Sequence, residues 1–81
     1  MSGVSPSRNP LDRIMRRLDR SLTHAHEPLR RVRTAVEQLR EQGGFSEEWI
    51  VKELERIEHR SAEAVEQIGH LASKLEKEVA T

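Results

Sequence analysis

From Leu11 onward the apolar residues fall at alternating steps of four and three: Leu11, Met15, Leu18, Leu22, Ala25, Leu29, Val32, Val36 and Leu39. Such steps keep every one of them on a single face of an α-helix, the pattern of helices that pair along a seam. The run stops at Gly43-Gly44, a helix terminator and tight turn. Beyond it Ile50, Leu54, Ile57, Ser61, Ala64, Ile68, Leu71 and Leu75 repeat the alternation, with Val51, Val65, Ala72 and Val79 running beside them. The pattern predicts an all-α chain, a coiled-coil-like antiparallel two-helix hairpin spanning residues 9–80. Its helices cover about 10–42 and 46–79, joined by a turn at 43–45.

Local signals set the ends. Asn9 is a good N-cap, Pro10 suits the first helical position and Asp12 puts a negative charge in the first turn. Ser46 can cap the second helix, Glu47 and Glu48 suit its positive end, and Phe45 is spaced to staple onto Ile50. Residues 1–8, rich in Ser, Gly and Pro without periodicity, are expected as a disordered tail. Pro28 lies inside the first pattern, where it removes a hydrogen bond and crowds the carbonyl of His24. Either the helix kinks there or two helices meet near His26-Glu27. The unbroken apolar phase favours the kink. Folding about Gly43-Gly44 then sets Pro28 level with the small residues Ser61, Ala62 and Ala64.

A lone hairpin buries one stripe on each helix and leaves the second column of the second helix wet. That imbalance predicts a partner, by dimerisation into a four-helix bundle or by docking on another helical protein. The residues expected to form this association surface are Val51, Val65, Ile68, Ala72 and Val79.

Charge adds a division. The formal net charge is zero, yet residues 1–42 carry nine Arg against five acids, and residues 43–81 carry five Lys/Arg against nine Glu. Halves of opposite sign attract, which favours antiparallel apposition and disfavours like-with-like pairing. No Cys is present, which excludes disulfides and thiolate metal sites and suits a reducing compartment. The N-terminus lacks a basic segment followed by an apolar one, and no apolar run approaches the ~18 residues of a spanning helix, so the expected location is the cytoplasm.

Candidate chemistry is sparse. His24, His26, His59 and His70 lack the i, i+4 pairing of a helical metal site, and no Glu-x-x-His pattern occurs. Nucleophile and phosphate-loop motifs are missing, so neither catalysis, a metal nor a cofactor is expected. Arg13, Arg16, Arg17, Arg20, Arg30 and Arg31 fall on the face opposite the seam, a candidate anion or nucleic-acid surface. Asp12, Asp19 and Glu27 interrupt it, and no aromatics interleave to stack bases. Phe45 and Trp49, the only large aromatics, sit at the turn end as local packing or as a binding anchor at the tip. Gly69 marks either a close helix crossing or a tolerated exposed position.

In its helix, Gly-containing turn and helix, the plan resembles the small helical-hairpin RNA-binding regulators of plasmid copy number. It is similar also to the two-helix co-chaperones of type III secretion needles. Both resemblances rest on architecture and carry no identifying residues, so neither transfers a site. The expected function is a non-enzymatic protein–protein interaction module: an adaptor, assembly factor or small regulator. The alternatives are a dimeric nucleic-acid-binding regulator using the arginine face, and a small co-chaperone of a secretion or assembly system.

Overall fold

The computed structural model describes residues 9–80; the expected tail at 1–8 and the side chain of Ser61 lie outside the described residues. Within that range the chain forms four α-helices: α1 (Pro10–Ser21), α2 (His26–Gln42), α3 (Glu48–Glu58) and α4 (Ala64–Ala80), with a 3₁₀ turn, Ser61–Glu63, before α4. The expected two-helix hairpin is therefore corrected. Each of its arms is broken once, and each half of the chain is itself a short hairpin.

The first break has its cause in Pro28. A proline ring in a continuing helix collides with the carbonyl four residues back, which here belongs to His24. The chain leaves the helix at Leu22, turns through Thr23-His24 and restarts with Ala25 at the cap position. Pro28 is then the third residue of α2, in the first turn, where backbone N–H groups have no intrahelical partner. The kink gives way to a break, a few residues earlier than the alternative junction at His26-Glu27. The second break has no Gly or Pro. There α3 tightens into i→i−3 bonds, His59 N–H to Arg56 O and Arg60 N–H to Ile57 O, and the 3₁₀ turn leads into α4.

Other ends follow their local chemistry. Asn9 caps α1 by accepting the Leu11 N–H at 2.8 Å, with Pro10 first and Asp12 in the first turn. Gly43 and Gly44 adopt φ of +81° and +69°, which only glycine adopts without strain, and the Gly43 N–H closes α2 on Leu39 and Arg40. Ser46 does not cap α3. The helix starts at Glu48 with Glu47 at the cap position, and the Glu47 side chain makes no capping bond because Arg40 and Asn9 hold it.

Ion pairs and stacked contacts give the helix directions. Asp12 near Arg40 joins the start of α1 to the end of α2, and Lys74 over Trp49 joins α4 to the start of α3, so both short hairpins are antiparallel. Asn9 meets Glu47 and Arg17 meets Glu58, so α1 and α3 run parallel. Arg31, in the first half of α2, meets Glu76, towards the end of α4. The closest helix pair is α2 with α4, then α1 with α3; α1/α4 and α2/α3 lie across the diagonals. Buried Ala35 presents little bulk where α2 lies beside Glu76 and Val79 of α4.

The core is one cluster drawn from all four helices, including Leu11, Ile14, Met15 and Leu18 of α1, Leu29, Val32 and Val36 of α2, Ile50 and Leu54 of α3, and Ile68, Leu71, Ala72 and Leu75 of α4. No polar side chain is buried among the described residues. The chain thus builds a four-helix core from its own sequence, and the expected dimerisation of hairpins is overturned with the hairpin itself. Of the second apolar column, Ala72 is buried in this core, and Val51, Val65 and Val79 are half-buried against it.

Candidate functional site

The expected association surface divides. Ile68 and Ala72 are fully buried in the chain's own core. Val65 and Val79 are half-buried against it, Val79 beside Arg31, Thr34, Ala35 and Gln38 of α2. Val51 is half-buried too, on the flank of α3 beside Asn9 and Pro10 at the start of α1.

The arginine face is also divided. Arg17 makes a two-pronged pair with Glu58, Nε to Oε2 at 2.7 Å and Nη2 to Oε1 at 2.8 Å. Arg31 does the same with Glu76 at 3.0 and 2.6 Å, and its Nη2 also donates to Ser73 Oγ at 3.3 Å. Arg40, outside the expected set, pairs with Glu47 at 2.6 and 2.8 Å and lies 3.8 Å from Asp12. Each of these three pairs joins the basic α1–α2 half to the acidic α3–α4 half. The guanidinium hydrogen bonds hold the carboxyls of Glu47, Glu58 and Glu76 below the usual carboxylate range and push Arg17, Arg31 and Arg40 up. The charge division therefore works as an internal clamp. Arg13, Arg16, Arg20 and Arg30 remain exposed on the outer side of α1–α2, and Arg16 lines a mainly polar groove of about 310 Å³ with Asp12, Arg33, Glu37 and Arg40 over Met15 and Val36.

Phe45 and Trp49 both pack against the core while half-exposed. The Lys74 ammonium sits 5.2 Å from the Trp49 ring centroid, a cation–π contact that holds the outer side of the α3–α4 hairpin. The four histidines are exposed and dispersed; His26 Nδ1 lies 3.2 Å from Asp19 Oδ1 across the α1–α2 turn. No group of three or more His, Cys, Asp or Glu among the described residues is arranged to hold a metal. No helix among them is long and apolar enough to cross a membrane.

One surface feature was not singled out by the sequence pattern. Asn9 and Pro10 at the start of α1 and Glu47, Glu48, Val51, Lys52 and Glu55 of the α3 end border an open groove of about 350 Å³ with a mostly apolar lining. It exists because α1 and α3 are parallel and bring their N-terminal ends together. The Asn9 Nδ2 to Glu47 Oε1 hydrogen bond, 3.4 Å, ties those ends. A periodicity argument finds Val51 but groups it with Val65, Ile68, Ala72 and Val79 on one association face, so the groove was invisible without the topology. Comparison of the chain with models of protein families, with curated proteins and with solved structures finds no match.

Proposed function

We propose that the chain is a non-enzymatic protein–protein interaction module, an adaptor or assembly factor that folds by itself and docks another protein on its outer surface. The observation that supports this reading is the apolar-lined groove at the paired N-terminal ends of α1 and α3. It exposes the flank of Val51 in a molecule whose other aliphatic side chains are largely committed to the core. Open, apolar and rimmed by polar groups, it has the form of a docking surface for a side chain of another protein. The nucleic-acid reading is weakened, because Arg17 and Arg31 of its arginine face are held by Glu58 and Glu76.

The test is reconstitution. Proteins retained by the tagged chain from source-cell extract are identified, purified and mixed with it, and the mass of the mixture is measured by light scattering. The reading expects a complex of fixed stoichiometry that survives moderate salt. If no purified candidate forms such a complex, the interaction reading fails.

A further inference from the structure

The α1/α3 groove has a charge pattern as well as an apolar floor. Glu48 and Glu55 are seven residues apart on α3, so they lie on one face about two turns apart, with Val51 and Lys52 between them. Both carboxylates are exposed. The third rim carboxylate, Glu47, is different: both its oxygens are taken by Arg40 and one also by Asn9, so it offers little to a newcomer. The rim thus presents two accessible carboxylates against one ammonium, Lys52, around an aliphatic centre, and the Arg17 guanidinium within electrostatic reach of Glu55 is held by Glu58.

We infer that this groove docks a basic amphipathic segment of a partner protein, with an aliphatic side chain over Val51 and Pro10 and Arg or Lys residues reaching Glu48 and Glu55. This rests on the interaction reading above and names the site and partner chemistry for it. An anchor side chain in an apolar pocket supplies most of such a contact, and flanking ion pairs fix its orientation and select against acidic competitors. The spacing of Glu48 and Glu55 calls for basic residues about one helical turn to either side of the anchor. An acidic segment would meet like charges at both positions.

Three synthetic helical peptides make the probe: one with a central Leu flanked by Arg one turn away on each side, one with Glu replacing both Arg, and one with Ser replacing the Leu. Each is titrated into the isotope-labelled full chain and followed by amide resonances. The first peptide should shift Leu11, Val51, Lys52 and Glu55, and the other two should bind at least about tenfold more weakly, a difference of ~1.4 kcal/mol. The double variant Glu48→Gln/Glu55→Gln, which removes charge and leaves the core untouched, should weaken the first peptide at least about fivefold. Val51→Asp should weaken it further, with an unchanged circular dichroism spectrum as the folding control. Absence of shifts at these residues up to about 1 mM peptide, equal binding of the acidic peptide, or shifts confined to the arginine-bearing side of α1–α2 would each overturn the assignment. The two readings fail separately. A reconstituted complex that is indifferent to Val51→Asp and Glu48→Gln/Glu55→Gln removes the groove and leaves the interaction module standing.

Discussion

Ala72→Glu separates a chain that completes its own core from a hairpin that waits for a partner. Ala72 is 0 % exposed and lies on α4, the helix that packs most closely on α2. A glutamate there must bury its carboxyl or push the helices apart. Fully buried glutamates titrate near ~8–9 instead of ~4.3, so keeping the group protonated at pH 7 costs about 4 kcal/mol. Burying the neutral carboxyl adds roughly 1–3 kcal/mol. The total, about 5–7 kcal/mol, is comparable with the whole stability of a chain this size, ~4–12 kcal/mol at the usual value per residue. Urea unfolding followed by far-ultraviolet circular dichroism should find Ala72→Glu unfolded or barely folded at neutral pH. Because the pKa of the new group is raised in the folded state, its ionisation cost is present above the folded value. That cost shrinks as pH falls and disappears below about 4.3, so the gap to the parent chain should narrow towards acid. Val65→Glu, at a half-buried position, should cost only about 1–2 kcal/mol because its carboxylate can reach water. A cooperatively folded Ala72→Glu with the parent urea midpoint and a changed native mass would refute the reasoning and restore the hairpin.

Pro28→Ala distinguishes the first turn of a helix from a kink within one: it should change stability by no more than about 1 kcal/mol in urea titration, whereas relief of a mid-helix proline would gain ~3 kcal/mol. Gly69→Ala should stabilise by roughly 0.5–1 kcal/mol by thermal unfolding, because a Cβ built at Gly69 meets nothing within 4 Å and the position is no close helix crossing. Acid should weaken the fold through the three clamps. The carboxyls of Glu47, Glu58 and Glu76 are held low by Arg40, Arg17 and Arg31, so their contribution is full above about 4.3 and is lost as pH falls through the lowered values. The urea midpoint should be flat from neutral pH to about 5 and fall below about 4, and a midpoint unchanged at acid pH would show that the clamps contribute nothing.

The identity of the buried residues was legible from spacing. Leu11, Met15, Leu18, Ala25, Leu29, Val32, Val36 and Leu39 in the first half, and Ile50, Leu54, Ile57, Ala64, Ile68, Leu71 and Leu75 in the second, are all buried. The number of helices was not legible, because the breaks leave the apolar phase intact. Leu22 to Ala25 is a step of three whether the intervening residues are helix or turn. In the second half no Gly or Pro marks the passage through His59-Arg60. Pro28 did carry the first break, but through the carbonyl of His24 four residues back. Ile14 held the overlooked clue. With Leu11, Met15 and Leu18 it gives α1 an apolar stripe at i, i+3, i+4 and i+7, broader than a two-helix seam uses and suited to a helix with two neighbours. The charge division announced that the halves attract, and Arg17–Glu58, Arg31–Glu76 and Arg40–Glu47 are how they do so. It favours antiparallel apposition, whereas α1 and α3 run parallel, and for that reason the groove between their N-terminal ends was not anticipated.

The central claim, that both arms are broken and α2 packs against α4, is tested most directly by cross-linking in a chain that contains no native Cys. Arg31→Cys/Glu76→Cys and Arg31→Cys/Arg56→Cys are treated at low protein concentration with a short bis-maleimide, and intramolecular products are mapped by mass spectrometry. Four-helix stacking places Arg31 against Glu76, so the first pair should link efficiently and the second should not. A two-helix hairpin about Gly43-Gly44 places Arg31 opposite Arg56, so efficient linking of the second pair and failure of the first would contradict the account.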